Sequence, residues 1–184
     1  MTDAHSALRD LPILRFLPPD IRSLVVDSFV PASFPFGAPI VREGEEADAL
    51  YVLVSGRARV VKMGTTGEEV SLNVLRPGDS FGEMGLLEAR RRMATVRAST
   101  DVEVLRLDRS VVAALLQRHP ELRTYLELQV KHRRLHNFFR AYTPFGRLPS
   151  DALRTMLDEL EPVAVAREEL VIRQGDEPGP MYIV

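Results

Sequence analysis

The chain has 184 residues, 45% hydrophobic and 27% charged, which supports a buried core and excludes a disordered chain. Its 24 basic and 26 acidic residues give a net charge of −2, too balanced for a general nucleic-acid coat protein. There is no cysteine, which excludes disulfides and thiol chemistry and fits a reducing, cytoplasmic setting.

Residues 5–29 read as helical: Leu8, Leu11 and Leu14 form an apolar stripe, Pro18-Pro19 breaks it, and Ile21, Leu24, Val25 and Phe29 resume it. From Pro31 to Leu107 the hydrophobic period changes to two. Short β-rich runs are expected at 39–41, 50–54, 58–61, 70–75, 94–96 and 102–107. Turns at Gly37, Gly44, Gly56, Gly64, Gly67 and Pro77-Gly78-Asp79 separate them. Many short, evenly spaced strands argue for a closed barrel or jelly roll.

Between the fourth and fifth runs lies Phe81-Gly82-Glu83-Met84-Gly85-Leu86-Leu87, followed by Arg90-Arg91-Arg92-Met93-Ala94-Thr95-Val96. A glycine turn that opens a helix lets backbone amides approach an anion. An ionised Glu83 only accepts hydrogen bonds and so suits hydroxyl donors, whereas Arg92 offers a planar fork to phosphate oxygens. The bland alternative is a structural ion pair between Glu83 and Arg92.

This stretch resembles, without a gap from Phe81 to Val96, the phosphate-binding cassette of cyclic nucleotide-binding domains. The resemblance implies a mainly β fold with flanking helices, a jelly roll (double-stranded β-helix). It implies that Glu83 binds the ribose 2′-hydroxyl and Arg92 the exocyclic phosphate oxygens. The ligand-binding set it implies is Gly82, Glu83, Met84, Gly85, Arg92, Met93 and Thr95, with Thr95 reaching phosphate or a guanine edge. Arg91 replaces the usual Pro and Met93 a small Ala, which bears on affinity. The expected ligand is cAMP or cGMP, a dinucleotide staying open, with no cofactor and no metal.

After the barrel, Asp108 or Ser110 caps a helix running through Arg118, and Pro120 opens a longer one to about Tyr142. Leu122, Leu126, Leu128 and Val130 are candidate lid or docking residues there, although such spacing more often means core packing. His132 and His136 stand four apart but lack a third ligand, so no metal is expected. The basic run from Lys131 to Arg140 reads as a solvated connector or a face for an acidic protein partner, with DNA reading the lesser alternative. Asn137-Phe138-Phe139 reads as an apolar anchor.

Sliding the chain by 131 residues lays Leu148 on Leu17, Pro149 on Pro18, Asp151 on Asp20, Gly175 on Gly44 and Tyr182 on Tyr51. There are nine identities over 37 positions, where roughly two are expected from ordinary residue usage. The expected division is 1–143, a complete cyclic nucleotide-binding domain, and 144–184, the opening of a second, incomplete copy.

The function expected is a non-enzymatic regulatory module that couples cyclic nucleotide binding to an effector domain in the same or a partner chain. A bacterial peptide-exporting ATP-binding transporter is one such effector. The alternatives are a catabolite-activator-like transcriptional regulator, or a degenerate domain acting only between proteins. No direct nucleic-acid contact and no membrane segment are expected, a homodimer is possible, and the place is cytoplasmic or the cytoplasmic part of a membrane-associated protein. No nucleophile elbow, Walker loop or metal cluster is seen.

Overall fold

Two four-stranded antiparallel sheets face each other in a computed structural model that describes residues 8, 11–64, 67–89, 91–175 and 177–182. The first sheet has the order β1 (Val30–Phe34), β8 (Val102–Asp108), β3 (Ala49–Ser55), β6 (Ser80–Phe81). The second runs β2 (Pro39–Val41), β7 (Thr95–Ala98), β4 (Ala58–Met63), β5 (Glu69–Leu75). This is the jelly roll with flanking helices.

Strand β3 explains the layering. Ala49, Tyr51 and Leu53 point between the sheets and meet Phe81, Val96 and Val104. Leu50, Val52 and Val54 point the other way, toward Leu11, Leu14, Leu115 and Leu122. A strand covered on both faces needs an unbroken apolar run, which Leu50-Tyr51-Val52-Leu53-Val54 supplies. Each such buried side chain contributes about 1.5–3 kcal/mol.

The expected helix over 5–29 is shorter and interrupted. Residues 5–7, 9 and 10 lie outside the described residues, Pro12–Phe16 forms a 3₁₀ turn, and α1 spans Pro19–Asp27. Strands β1 and β6 go unread in the sequence. Pro31 in β1 is tolerated because β1 is an edge strand.

Helix α2 (Arg109–Arg118) starts where the Asp108 carboxylate accepts the Ser110 N–H at 2.9 Å. Helix α3 runs Pro120–Tyr142, with Pro120 in its first turn and Glu121 favouring the positive end of the helix. It stops at Thr143, before Pro144, and the Thr143 hydroxyl donates to the Phe139 carbonyl at 2.9 Å. Among the described residues no helix is long and apolar enough to cross a membrane.

Beyond α3 the backbone repeats its own opening. A 3₁₀ turn at Pro144–Arg147 leads into α4 (Ser150–Asp158), the span of α1 displaced by 131. Pro18 (φ −54, ψ 150) and Pro149 (φ −53, ψ 151) precede the two helices in the same conformation. Arg22 N–H donates to Pro18 C=O at 2.8 Å, and Leu153 N–H to Pro149 C=O at 2.9 Å. Further on, Ala38 N–H donates to Pro35 C=O as Glu169 N–H does to Ala166 C=O. Glu168, with φ 67, stands where Gly37 has φ 81. The described residues after α4 form no strand.

Candidate functional site

A cavity of about 410 Å³ opens between the inner face of the second sheet, the segment 82–94, and helices α3 and α4. Val41, Val60, Leu75 and Val96 form its apolar wall. The chain reaches it through a tight turn. Gly82 has φ 94, and a Cβ there would lie 2.5 Å from Arg92 Nη1 and 3.0 Å from the Ala49 carbonyl oxygen. A Cβ on Gly85 would lie 2.6 Å from the Arg91 carbonyl oxygen. Both positions therefore require glycine. The following residues, Gly85–Ala89, make one turn of π-helix.

Glu83 and Arg92 share this cavity, and they are the charged residues buried among those described. They do not pair with each other. Arg133 on α3 donates from Nη1 to Glu83 Oε1 at 2.7 Å and to the Ser80 carbonyl at 2.9 Å. Glu83 Oε2 is buried with no hydrogen-bond partner. Such an orphaned acceptor costs about 1–3 kcal/mol, more when charged, and is relieved by a donor that reaches it.

Arg92 is fixed from behind. Its Nη2 donates to Asp48 Oδ1 at 2.6 Å and to the Ala49 carbonyl at 2.9 Å, and Nη1 donates to the Gly82 carbonyl at 3.1 Å. The guanidinium lies 5.4 Å from the Tyr51 ring, which stacks on Phe81. Three of its five donors are thus used and Nε–H and one Nη1–H stay unused among the described residues. Burial alone would raise the Asp48 carboxyl, yet hydrogen bonds from Arg92 and Arg106 hold it below its ordinary value.

Of the other expected ligand residues, Gly82, Met84, Gly85 and Met93 line the cavity. Thr95 does not. Val96 points inward and strand alternation turns Thr95 outward, where its hydroxyl accepts the Glu43 N–H at 3.0 Å. Arg90 lies outside the described residues. Arg91 donates to the Gly44 carbonyl at 2.7 Å.

Helix α3 corrects two further expectations. Leu122 and Leu126 are core, Val130 is buried, and Leu128 is exposed, so none of the four lids the cavity. The cavity face of α3 is instead Gln129, His132, Arg133, His136 and Asn137, a polar stripe at helical spacing. The basic run is no mere connector, since Arg133 reaches Glu83 and Arg140 donates to the Gly146 and Leu148 carbonyls, each at 2.7 Å. Burial, followed by the charge of Arg140, pushes His136 below its ordinary value. No metal-holding group of three His, Cys, Asp or Glu occurs among the described residues. Arg133 was findable as one member of that polar stripe, whereas nothing in the sequence ties Asp48 to Arg92.

Residues 31–119 match the family model described as the cyclic nucleotide-binding domain. Over 109 residues the chain is 39% identical to a cAMP-dependent protein kinase regulatory subunit of Aspergillus fumigatus, covering 59% of this chain and 26% of the relative. It is 28% identical over 178 residues to cGMP-dependent protein kinase 2 of Homo sapiens, covering 97% of this chain and 22% of the relative. The solved regulatory domain of Toxoplasma gondii PKA with cAMP is similar at a TM-score of 0.62 and 27% identity, over 70% of this chain and 49% of that one. The chain spans between about a quarter and about half of the length of these relatives. The matched segment and the shared jelly roll together support assigning residues 31–119 to the cyclic nucleotide-binding domain family.

Proposed function

We propose that this chain is a regulatory module that binds a cyclic nucleotide, cAMP or cGMP, and passes the binding event to an effector through α3 and the segment beyond it. The single observation that carries this reading is that buried Glu83, whose Oε2 has no partner, lines the same cavity as Arg92. A ribose hydroxyl donates to Oε2 while Arg133 keeps Oε1. The cyclic phosphate takes the unused Arg92 donors, helped by backbone amides at Gly82, Gly85 and Met93. Met84 and Met93 flank the ligand.

Signal transfer follows from where Arg133 sits. The ligand engages one oxygen of a carboxylate whose other oxygen holds α3, so ligand binding is coupled to the packing of α3. The work is regulatory rather than catalytic.

Residues 144–182 are read as the opening of a second copy of the domain. The displaced backbone hydrogen bonds support this, as does the human kinase relative, which aligns over 178 residues. The effector is a downstream domain in the same or a partner chain, such as a transporter, and the setting is cytoplasmic.

The test is a calorimetric titration with cAMP and cGMP of the parent chain and of Arg92→Leu. The parent binds at least one nucleotide and gains melting temperature with it, and Arg92→Leu weakens binding about a hundredfold or more. Unchanged affinity in Arg92→Leu would falsify the site.

A further inference from the structure

We propose that α4 reads the purine, and that Arg154 and Asp158 set a preference for guanine over adenine. This rests on the cyclic nucleotide reading above and names the base for the same cavity.

The cavity has two chemically different ends. Glu83 and Arg92 serve a sugar and a phosphate at one end. A base attached to that sugar extends along the apolar wall toward α3 and α4. The α4 residues on the cavity are Ser150, Arg154, Leu157 and Asp158, at spacings of four, three and one, which make one helical face. Leu157 supplies an apolar surface for a ring. Arg154 and Asp158, beside it on the cavity lining, supply a donor fork and an acceptor fork.

That face is held in place. Arg140 on α3 donates to the Gly146 and Leu148 carbonyls and, at 2.9 Å, to Ser150 Oγ. Beside that face, Leu153, three residues after Ser150 and four before Leu157, is fully buried. The charge of Arg154 is felt at His136, so it stands beside the α3 stripe. Among the described residues neither Arg154 nor Asp158 makes a hydrogen bond or ion pair, and Arg four residues before Asp is the weaker order for pairing along a helix. Both remain free for a ligand.

The chemistry of the two purines then decides. Guanine offers O6 and N7 as adjacent acceptors, which an arginine takes bidentately, and N1–H and the N2 amino group as adjacent donors, which a carboxylate accepts. Adenine places an amino donor where arginine needs an acceptor, and an N1 lone pair where the carboxylate needs a proton. The Asn137 amide presents a donor and an acceptor and serves either purine, so it does not discriminate.

The experiment is a calorimetric titration of the full chain and of Asp158→Asn and Arg154→Gln with cGMP, cAMP and cyclic inosine monophosphate, which keeps O6 and N7 but lacks the N2 amino group. The expected result is cGMP tighter than cAMP by about tenfold or more. In the parent chain cGMP also binds more tightly than the inosine analogue, and in Asp158→Asn that difference disappears. Arg154→Gln reduces the cGMP-to-cAMP ratio severalfold. Equal binding of the two purines, tighter cAMP, or an inosine gap that survives in Asp158→Asn overturns the proposal while leaving the nucleotide site intact. Binding of none of the three sinks the nucleotide reading itself, and this inference with it.

Discussion

Asp48 is the residue on which Arg92 depends, although it lies 44 positions away and does not itself line the cavity. It also accepts from Arg106 at 3.2 Å. Its carboxyl titrates below the ordinary value of about 4 in the folded protein, so the unfolded chain holds the extra proton. The stabilisation is therefore complete above about pH 4 and drains away as the pH falls through the folded value. Asp48→Asn is expected to lower the melting temperature at pH 7, to flatten its decline in acid and to weaken nucleotide binding by freeing Arg92. Thermal scans from pH 7 to pH 3 check this, and parallel acid limbs in parent and variant count against it. The residue scale also shows how much of the site is legible in sequence. Gly82, Glu83 and Arg92 form one contiguous stretch, so local pattern finds them. Asp48 and Arg133 reach it only through tertiary packing, over separations of 44 and 50 residues. Thr95 falls outside the cavity lining, because the parity set by buried Val96 sends it to the outer face.

At the scale of elements, the helices follow their caps and the strands their alternation. Helix α3 is readable because Pro120 and Pro144 bracket it, and β3 because both its faces are covered. Strands β1 and β6 are not, since Pro31 and Ser33 dilute the first and the second has two residues whose pairing with Tyr51 and Val52 comes from the fold. The contact that matters most between elements is α3 on the cassette turn. Arg133→Met removes the partner of a buried carboxylate but keeps the aliphatic packing. It is expected to cost the ligand-free protein about 1–2 kcal/mol, a discount on a fully buried pair because Arg133 is partly exposed. Chemical denaturation measures this. The same variant should still bind nucleotide, with the melting shift on binding altered, because α3 no longer feels the carboxylate.

Across the whole molecule, the first 143 residues and the remainder differ in what they bury. Val163, Val165, Leu170, Val171 and Ile172 are all exposed. Displaced by 131, they fall on Ala32, Phe34 and the strand Pro39–Val41, positions the jelly roll uses. The described residues after α4 therefore add little to the stability of the jelly roll, whereas α4 lines its cavity. A chain ending at residue 159 is expected to keep both melting temperature and nucleotide affinity. One ending at residue 143 should keep its fold and lose affinity severalfold, because Arg154, Leu157 and Asp158 are gone. Paired melting and titration of the two truncations decides, and a 159-residue chain that fails to fold would contradict this division.

The divided carboxylate of Glu83 has a chemical corollary. With Oε1 committed to α3, a furanose hydroxyl of the proposed ligand is the donor that would relieve Oε2. A 2′-deoxy cyclic nucleotide carries the same phosphate and base but leaves that oxygen dry, and is expected to bind about ten- to a hundredfold more weakly. The protein would thereby ignore DNA-derived metabolites, and a competition assay with the deoxy analogue reads that filter directly.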